Sequence, residues 1–368
     1  MKANAGGEFR ADILAYFESL RIKDGPYGRY RYAASGTRPV AYASAYSAMA
    51  RHMLGNLDAV SARQKKEWAD HILSFQDEDG FFREQALAHP GSWYVPPHMD
   101  WCGWWHMSCH AIIGLAALGA VARREFAALK PYCNEKFLGQ WLAKRDMNQM
   151  SFVGNEVLNV GQLLQYARDF QHARDAGRAM EILFDWMDRT QDAATGQWGK
   201  SFAAPEDRNS AYQGAYHFYL LYAYDRRPVQ HPERIVDFML SMQTAQGGFG
   251  IRADTSGCED IDAIDPLARM YFQTPHRRAD IEASLRRAFD WVLKNRTPDG
   301  GFAFIRNKDM FYGSNLMYSK ENEGSAFATW WRTLSLAVVS QVVKEHPLAK
   351  IPWEFIRCPG YQVWPEWR

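Results

Sequence analysis

A short motif that recurs along the chain constrains its fold more than any other feature. Each copy consists of the end of an amphipathic helix, often a Gln or Asn, a short polar turn, and then Gly beside an aromatic residue. The copies are SLRIKDGPYG, SFQDEDGFF, DRTQDAATGQWG, SMQTAQGGFG and KNRTPDGGFAF, and their glycines are Gly25, Gly80, Gly196, Gly248 and Gly301. The intervals are 55, 116, 52 and 53 residues, and 116 is about twice the others. We therefore take GQWLAKRDMNQMSF, around Trp141, as a degenerate copy, which gives six units.

Each unit predicts a pair of helices around the glycine turn. Segments such as ERIVDFMLSMQ and IEASLRRAFDWVLKN are amphipathic, which predicts outer helices with one face in water. Segments such as YASAYSAMARHML and SAFATWWRTLSLAVVSQVV are apolar nearly all round, which predicts buried helices. The outer helices are expected at 8–20, 60–75, 124–143, 173–189, 232–243 and 279–295. The inner helices are expected at 41–54, 104–121, 152–167, 210–224, 264–273 and 325–343.

Stacked helical pairs bury their surfaces only against their neighbours, and closing the stack into a ring removes its exposed ends. The sequence thus predicts an all-α fold, an (α/α)6 barrel or toroid with a central cavity, as one domain over residues 1–368. Its units would be 8–55, 60–121, 124–168, 173–224, 232–273 and 279–343, followed by a tail at 344–368. The glycines allow sharp turns, and each Gln or Asn before a turn is expected to hydrogen-bond a neighbouring helix end.

Charge and apolar patterning exclude several classes of protein. The chain has 43 basic and 42 acidic residues, a formal net charge of +1, and no basic block, so nucleic acid is not an expected partner. The longest apolar run, AIIGLAALGAVA, has 12 residues, whereas spanning a bilayer takes about 20, so no transmembrane segment is predicted. The N-terminus lacks the apolar stretch of a signal peptide, and the five cysteines have no framework spacing. These features predict a reduced, cytoplasmic protein.

The alternation of outer and inner helices predicts that all inner helices begin at the same end of the ring. The segments that enter them are HMDWCGWWH, FVGNE, DRNSAYQGAYH, CEDIDAID and ENEGSAFATWWR, all rich in polar and aromatic residues. Arg332 is expected near Glu323, where it would orient the site, and His110 is expected to pack inside. The predicted substrate-binding residues are Trp101, Trp105, His106, Asn155, Glu156, Tyr212, His217, Glu323, Trp330 and Arg332.

The segment GCEDIDAIDPLARM, Gly257 to Met270, concentrates carboxylates where a helix is expected to begin. Asp265 before Pro266 predicts a helix N-cap followed by a proline in the first turn. Crowded carboxylates raise one another's pKa, so that one of them can hold a proton near neutral pH and act as a general acid. The predicted catalytic residues are Glu259, Asp260, Asp262 and Asp265.

The motifs SFQDEDGFF, SMQTAQGGFG and NRTPDGGFAF resemble the Gln-to-Trp repeats of squalene-hopene-type cyclases, with Phe mostly in place of Trp. The chain is thus similar to the α/α-toroid superfamily of terpenoid cyclases and protein prenyltransferase β-subunits. In class II terpenoid cyclases the proton donor is the middle aspartate of an Asp-x-Asp-Asp motif at an inner helix mouth. The segment from Asp260 to Ala263 is similar, with Ala263 in place of the last aspartate, and this resemblance implies that Asp262 is the protonating acid.

The similarity to prenyltransferases implies a zinc site that the sequence does not reproduce. Those enzymes bind zinc through an Asp-x-Cys pair and a later His, whereas this chain has Cys258-Glu259-Asp260 and no His in SAFATWWRTL. The run CGWWHMSCH also lacks the paired short spacings of zinc sites. We therefore predict no cofactor, with zinc or magnesium as a less favoured alternative.

Three functions are compatible with these residues. The first is an acid-initiated cyclisation or isomerisation of an isoprenoid or related lipid, with Asp262 as proton donor. The second is a carbohydrate-active lyase, hydrolase or epimerase that uses the same carboxylates, and the third is a non-catalytic ligand-binding or assembly toroid. A deep aromatic cavity with one buried carboxylate favours the first, and an open groove with carboxyls about 5–10 Å apart favours the second. The expected partner is a small lipid or glycan.

Overall fold

The computed structural model describes residues 5–96 and 103–364 of the chain. Over these residues the α-helices alternate between an outer and an inner set. The outer helices are α1 (Ala5–Leu20), α3 (Ala62–Leu73), α5 (Glu135–Ala143), α7 (Arg174–Thr190), α9 (Pro232–Ser241) and α11 (Arg278–Leu293). The inner helices are α2 (Ala41–Met53), α4 (Gly103–Ala117), α6 (Met150–Phe170), α8 (Pro205–Tyr224), α10 (Gly257–Gln273) and α12 (Ala326–Val342). These six pairs confirm the predicted all-α toroid.

The inner helices form a closed ring. Each inner helix packs against the next one along the chain, and α12 packs against α2. Small residues permit close approach, as between α6 and α8, where a Cβ placed on Gly154 would lie 2.3 Å from the carbonyl oxygen of Gly214. The outer helices bury one face only, as the predicted amphipathic pattern requires. No described helix has both the length and the apolar character needed to cross a membrane.

Short elements connect the helices. The strands β1 (Met310–Phe311) and β2 (Tyr318–Ser319) pair antiparallel in the connection from α11 to α12. Four short 3-10 helices lie at Leu57–Ala59, Gln85–Leu87, Ala127–Cys133 and Pro347–Lys350. The third of these replaces the first half of the outer helix predicted at 124–143, because Pro131 interrupts the segment and Asn134 caps the start of α5 through the Phe137 amide.

The repeated glutamines join neighbouring units, but Gln76 and Gln243 do so through a connecting segment and the middle of a helix, not through the predicted helix ends. The Gln76 side-chain amide donates to the carbonyl of Gly80 in its own turn and to that of Arg124 at the next unit, over 2.9 and 3.0 Å. Gln243 bonds in the same way to Gly247 and to Ser284, over 2.9 Å in each case. Each glutamine therefore closes its own turn and ties it to the following helical pair.

Replacing Gly80 by Ala is expected to lower the free energy of unfolding by about 1–3 kcal/mol. Gly80 has a φ of +91°, and an added Cβ would lie 2.1 Å from the carbonyl oxygen of Glu125. Gly139→Ala on α5 is the matched control, since a Cβ there meets nothing within 4 Å and alanine favours the helix. Urea titration of both variants measures the difference, and an equal effect at the two positions would contradict this account of the turn.

Helix α10 begins seven residues before its predicted start, and this changes which carboxylate caps it. Ser256 is the N-cap: its hydroxyl accepts from the Glu259 amide over 3.2 Å, and Glu259 accepts from the Ser256 amide over 2.8 Å. This Ser-x-x-Glu capping box starts the helix, so Pro266 lies in its interior. The prediction that Asp265 is the N-cap is therefore wrong.

The chain after α12 closes one end of the ring. We name residues 354–363 the C-terminal plug. The Glu354 amide donates to the carbonyl of Met53 at the end of α2, over 3.0 Å. From there the segment enters the ring, where Gln162 of α6 donates to the carbonyl of Pro359 over 2.9 Å. The ring is thus closed on the side where the inner helices end.

Candidate functional site

A cavity of about 260 Å³ lies within the ring, near the beginnings of the inner helices. Five inner helices, the connection from β1 to β2 and the C-terminal plug contribute to its wall. The lining residues are His106 and His110 of α4, Ser151, Phe152 and Asn155 of α6, Gln213 and His217 of α8, Cys258 and Asp262 of α10, Phe327 and Trp331 of α12, Tyr312, and Tyr361. Four of the residues predicted from the sequence, His106, Asn155, His217 and Asp262, are therefore brought together.

Asp262 is the acidic residue of this wall. Its side chain is only 2% exposed, and within 5–96 and 103–364 no side chain or backbone group hydrogen-bonds or ion-pairs with its carboxyl. Burial raises the pKa of Asp262 well above its ordinary value, and the nearby charges of Glu259, Asp260 and Asp265 raise it further. A raised pKa favours the protonated form of this carboxyl.

Asp260 is held by four hydrogen bonds and lies outside the cavity wall. One carboxylate oxygen accepts from the Thr255 hydroxyl over 2.6 Å and from the Phe249 amide over 3.0 Å. The other accepts from the Trp291 indole N–H and from the Arg332 guanidinium, both over 2.9 Å. Burial raises the pKa of Asp260, while Arg332 and these hydrogen bonds lower it. Asp260 therefore fastens α10 to α11 and α12.

Arg332 belongs to this fastening and not to the cavity wall. Besides Asp260, its guanidinium donates to the carbonyls of Ala303 and Phe304, each over 2.7 Å. Glu323, its expected partner, accepts instead from the amide and hydroxyl of Ser35, over 2.6 and 2.9 Å. The prediction that Arg332 and Glu323 orient the site together is therefore wrong.

The remaining two carboxylates also have partners of their own. Glu259 completes the capping box and lies 3.3 Å from Arg252. Asp265 forms a two-point ion pair with Arg269, over 2.6 and 3.0 Å. The expectation that Glu259, Asp260 and Asp265 share the hollow with Asp262 is wrong, because each of these three carboxylates is held by a partner outside the cavity wall.

Burial disfavours the charged form of three histidines around the cavity. The Nδ1 of His217 lies 2.8 Å from the carbonyl oxygen of Gln213, and that of His110 lies 2.9 Å from the carbonyl oxygen of His106. A carbonyl can only accept, so each Nδ1 carries the proton and each Nε2 keeps a lone pair. Burial lowers the pKa of His110 and of His217 to about 4 and lowers that of His106 well below its ordinary value. The cavity thus holds an acid and potential proton acceptors.

The remainder of the wall combines aromatic side chains, most of them on α12 and in the loops, with polar side chains on α6 and α8. Phe327 stacks on Tyr312 and on Trp331, with ring centroids 4.3 and 5.6 Å apart. Aromatic faces attract cations, so these rings can stabilise positive charge. Among the polar side chains, the Oδ1 atom of Asn155 is buried without a hydrogen-bond partner in the described part of the chain. The site can therefore hold an amphiphilic molecule.

Trp105 and Glu156 do not reach the cavity, although both were predicted to bind substrate. Trp105 packs against Phe81 and Tyr132, with ring centroids 4.7 and 5.4 Å apart. Glu156 forms an ion pair with Arg145. Trp105 precedes His106 and Glu156 follows Asn155 in the sequence. Because one residue corresponds to about 100° around a helix, their side chains point away from the cavity.

Tyr212 and Trp330 are likewise structural. The Tyr212 hydroxyl donates to the carbonyls of Phe249 and Glu259, over 3.3 and 3.2 Å. The Trp330 indole N–H donates to the Gln362 side chain over 2.9 Å. Both predictions of substrate contact are therefore wrong. Trp101, also predicted to bind substrate, lies outside the described residues.

Sequence reasoning missed several wall residues, and helical spacing could have found some of them. His110 is one turn after His106, and Cys258 is one turn before Asp262, so each shares a helix face with a predicted residue. The expectation that His110 packs away from the cavity is wrong for this reason. No periodic signal exists for Tyr312 or Tyr361, since both lie outside the helices.

The described residues of this site are not arranged to hold a metal ion. Across the described ranges, no group of three or more His, Cys, Asp or Glu residues is arranged to hold one. Cys258 lines the cavity, but Asp260 is committed to Arg332. The residues present therefore do not reproduce the zinc site that the prenyltransferase resemblance implies.

A second, larger depression lies at the opposite end of the ring. It encloses about 1810 Å³ and is lined by the ends of α4, α6 and α8 and by the plug. Charged side chains there pair with each other, as Arg168 does with Asp225 and Arg227 with Glu181. None of the predicted site residues lies in it, so the smaller cavity is the candidate site.

Comparison with known proteins gives a family and several similar structures. The profile of the prenyltransferase alpha-alpha toroid domain matches residues 33–259 and 157–316. A search of curated proteins found no match. The ent-copalyl diphosphate synthase from Streptomyces platensis is similar at 14% identity and a TM-score of 0.48, over 83% of this chain and 50% of that one. This chain therefore spans half the length of that synthase.

Glycan-active enzymes are also among the similar structures. A GH76 α-mannanase from Bacteroides thetaiotaomicron is 11% identical with a TM-score of 0.46, over 94% of this chain and 98% of that one. A polysaccharide lyase is 11% identical with a TM-score of 0.46, over 90% of this chain and 97% of that one.

Proposed function

Because this chain belongs to the prenyltransferase alpha-alpha toroid family, we propose that its cavity catalyses the acid-initiated cyclisation or isomerisation of an isoprenoid or related alkene. Asp262 is the proton donor. One observation carries the proposal: Asp262 is a buried carboxyl with no partner in the described residues, and it faces an aromatic-lined cavity. Burial that raises the pKa of Asp262 keeps a transferable proton there.

The first step is proton transfer from the Asp262 carboxyl to one carbon of a substrate double bond. A C–H bond forms with the π electrons, the O–H bond breaks, and the other carbon becomes a carbocation while Asp262 becomes a carboxylate. The faces of Tyr312, Phe327 and Trp331 stabilise that cation. A second double bond of the substrate can attack the cation, which closes a ring and moves the charge.

The last step is loss of a proton from a carbon next to the cation. His217 is suited to accept it, because its Nδ1 proton is donated to a carbonyl and no described residue hydrogen-bonds to its Nε2 lone pair. The C–H electrons then form the new double bond. Solvent takes the proton from His217 and returns one to Asp262, so the net reaction is an isomerisation that needs no oxidant or other reactant.

The character of the wall favours an uncharged substrate. Among the described residues that line the cavity there is no Lys or Arg, and the segment 97–102 contains neither in its sequence. A diphosphate needs such cations for charge-assisted hydrogen bonds. The wall instead carries the neutral polar side chains of Ser151, Asn155 and Gln213. A neutral prenyl alcohol therefore fits this wall better than a prenyl diphosphate.

Among the described residues of the wall, the glycan alternative lacks a second carboxyl. Glycoside hydrolysis uses two carboxyls about 5–10 Å apart, and Asp262 is the one acidic residue in the described wall of the cavity. The proposal is tested against two other outcomes. One is a lyase or an epimerase, which could use His217 with Asp262, and the other is a purely ligand-binding toroid.

Incubation in D2O with prenyl alcohols of 10, 15 and 20 carbons, and with squalene, is expected to yield isomeric or cyclic products that carry one deuterium. The donor exchanges with solvent, so each turnover delivers a deuteron to carbon. Gas chromatography with mass spectrometry detects the product, and heat-denatured protein is the control. Degradation of mannan or of a uronic-acid polymer, with no prenyl compound consumed, would favour the glycan alternative. Consumption of neither would leave only the binding function.

A further inference from the structure

The C-terminal plug makes a tight reversal inside the ring. The Ile356 amide donates to the carbonyl of Gln362 over 3.0 Å, so the two arms of the plug run side by side. At its tip Gly360 has a φ of +119°, and an added Cβ would lie 2.4 Å from the Gln162 side-chain nitrogen and 2.7 Å from Ile113. The tip is therefore wedged between α4 and α6, where only glycine fits.

Polar contacts from four inner helices hold the plug in place. The Gln362 amide nitrogen donates to the carbonyl of Met49 on α2 over 3.1 Å, and its oxygen accepts from Trp330 on α12 over 2.9 Å. Gln162 of α6 donates to Pro359, and Arg269 of α10 donates to the carbonyl of Val363, each over 2.9 Å. These are buried side chains, so the contacts fix the tip closely.

Tyr361 lies at the tip of this reversal and forms part of the cavity wall. Its ring centroid is 4.8 Å from that of His110, 5.2 Å from that of Trp331 and 6.2 Å from that of His217. These three neighbours come from α4, α12 and α8, and all of them line the cavity. Tyr361 therefore fills the space that these inner helices leave between them on the plugged side.

We infer that the C-terminal plug sets the depth of the cavity and that Tyr361 limits the length of the substrate it accepts. The substrate class rests on the proposed function, whereas the position of the floor does not. The polar residues Ser151 and Asn155 lie in the first turns of α6, near the open end. A molecule whose hydroxyl binds there extends its apolar chain toward Tyr361, and the phenol ring is where that chain must stop.

Binding of straight-chain 1-alkanols, measured by isothermal titration calorimetry, tests this limit without any turnover. In the wild type, affinity is expected to rise by about fourfold per methylene and then to stop rising at a cut-off length. Tyr361→Ala is expected to move the cut-off by at least about two methylenes, which gives about a 15-fold tighter binding of the longest alkanols. Tyr361→Phe keeps the ring and is expected to keep the cut-off.

Two further variants keep the test decisive. If Tyr361→Ala does not fold by circular dichroism, Tyr361→Leu is expected to lengthen the cut-off and Tyr361→Trp to shorten it. A cut-off that is the same in the folded variants and the wild type, or no alkanol binding at all, would overturn the inference. Absence of deuterated product, together with a shifted cut-off, would instead count against the proposed function and leave the role of Tyr361 standing.

Discussion

Asp262→Asn is expected to lower the rate of deuterated product formation by about 10²–10⁴-fold, the usual contribution of a positioned acid. Asparagine has nearly the same shape, so the cavity of about 260 Å³ is preserved, but its amide has no acidic proton to give to an alkene. The rate is measured in single-turnover reactions with saturating substrate. Substrate binding is expected to stay within a few-fold of the wild type, because the wall is otherwise intact.

The matched control for this variant is Asp58→Asn, which makes the same chemical change on an exposed surface. It is expected to leave the rate unchanged. An Asp262→Asn protein that binds alkanols normally and turns over at the wild-type rate would exclude Asp262 as the acid. It would then favour a ligand-binding toroid.

Asp262→Asn is also expected to change how the free energy of unfolding depends on pH. The pKa of Asp262 is raised in the folded protein by burial first and by neighbouring negative charges second. A group whose folded pKa is raised stabilises the fold fully below its unfolded pKa, and this contribution is lost as the pH rises through the folded pKa. Asn cannot ionise, so it does not suffer this loss.

Urea titrations at pH 5 and pH 8 are expected to show this difference. At pH 8, Asp262→Asn is expected to be more stable than the wild type by about 1–3 kcal/mol, because each unit by which burial raises a pKa costs the wild type about 1.4 kcal/mol at a pH above it. At pH 5 the difference in free energy of unfolding between the two proteins is expected to be smaller. A gap that grows on acidification would mean that Asp262 is ionised and stabilised in the fold by a partner.

The ring could be predicted from sequence because its signals are local and repeated. The turn motif and the amphipathic periods depend on residues close together in the chain, so the six pairs followed from them. The start of α10 was missed because Pro266 suggested a helix beginning, whereas the capping box of Ser256 and Glu259 begins the helix earlier. A proline inside a helix is unfavourable, but it is tolerated when tertiary packing holds the helix.

The cavity was predictable only in part, because its wall depends on contacts between distant segments. Asp262 followed from the similarity of its motif to that of terpenoid cyclases. Asp262 lines the cavity, whereas Asp260 is bound to Arg332 instead. This difference could not be predicted locally, because Arg332 lies 72 residues after Asp260 in the chain. Tyr361 reaches the cavity through a non-repetitive tail, for which neither helical periodicity nor a motif gives a position.

Asp260→Ala is expected to lower the free energy of unfolding by about 3–5 kcal/mol, because it leaves a buried guanidinium without its counter-charge. Asp260 and Arg332 are both fully buried and lie 2.9 Å apart. The Trp291 indole and the Thr255 hydroxyl would lose their acceptor as well. Urea titration measures the loss. Arg63→Ala, which breaks the exposed pair with Glu67, is the control and is expected to change stability little.

The double variant Asp260→Leu with Arg332→Met shows whether the pair acts as a unit. Removing both charges leaves no uncompensated ion, so the double variant is expected to be more stable than Asp260→Ala, although Ala303 and Phe304 lose a donor. Additive losses from the two positions would show that they do not act as a pair.

If the double variant folds and still forms deuterated product, Asp260 serves to join α10 to α12 and the proton chemistry belongs to Asp262 alone. If it folds but turnover is lost, Asp260 also tunes the acid, since only Ile261 separates the two carboxylates along α10 and the charge of Asp260 contributes to the raised pKa of Asp262.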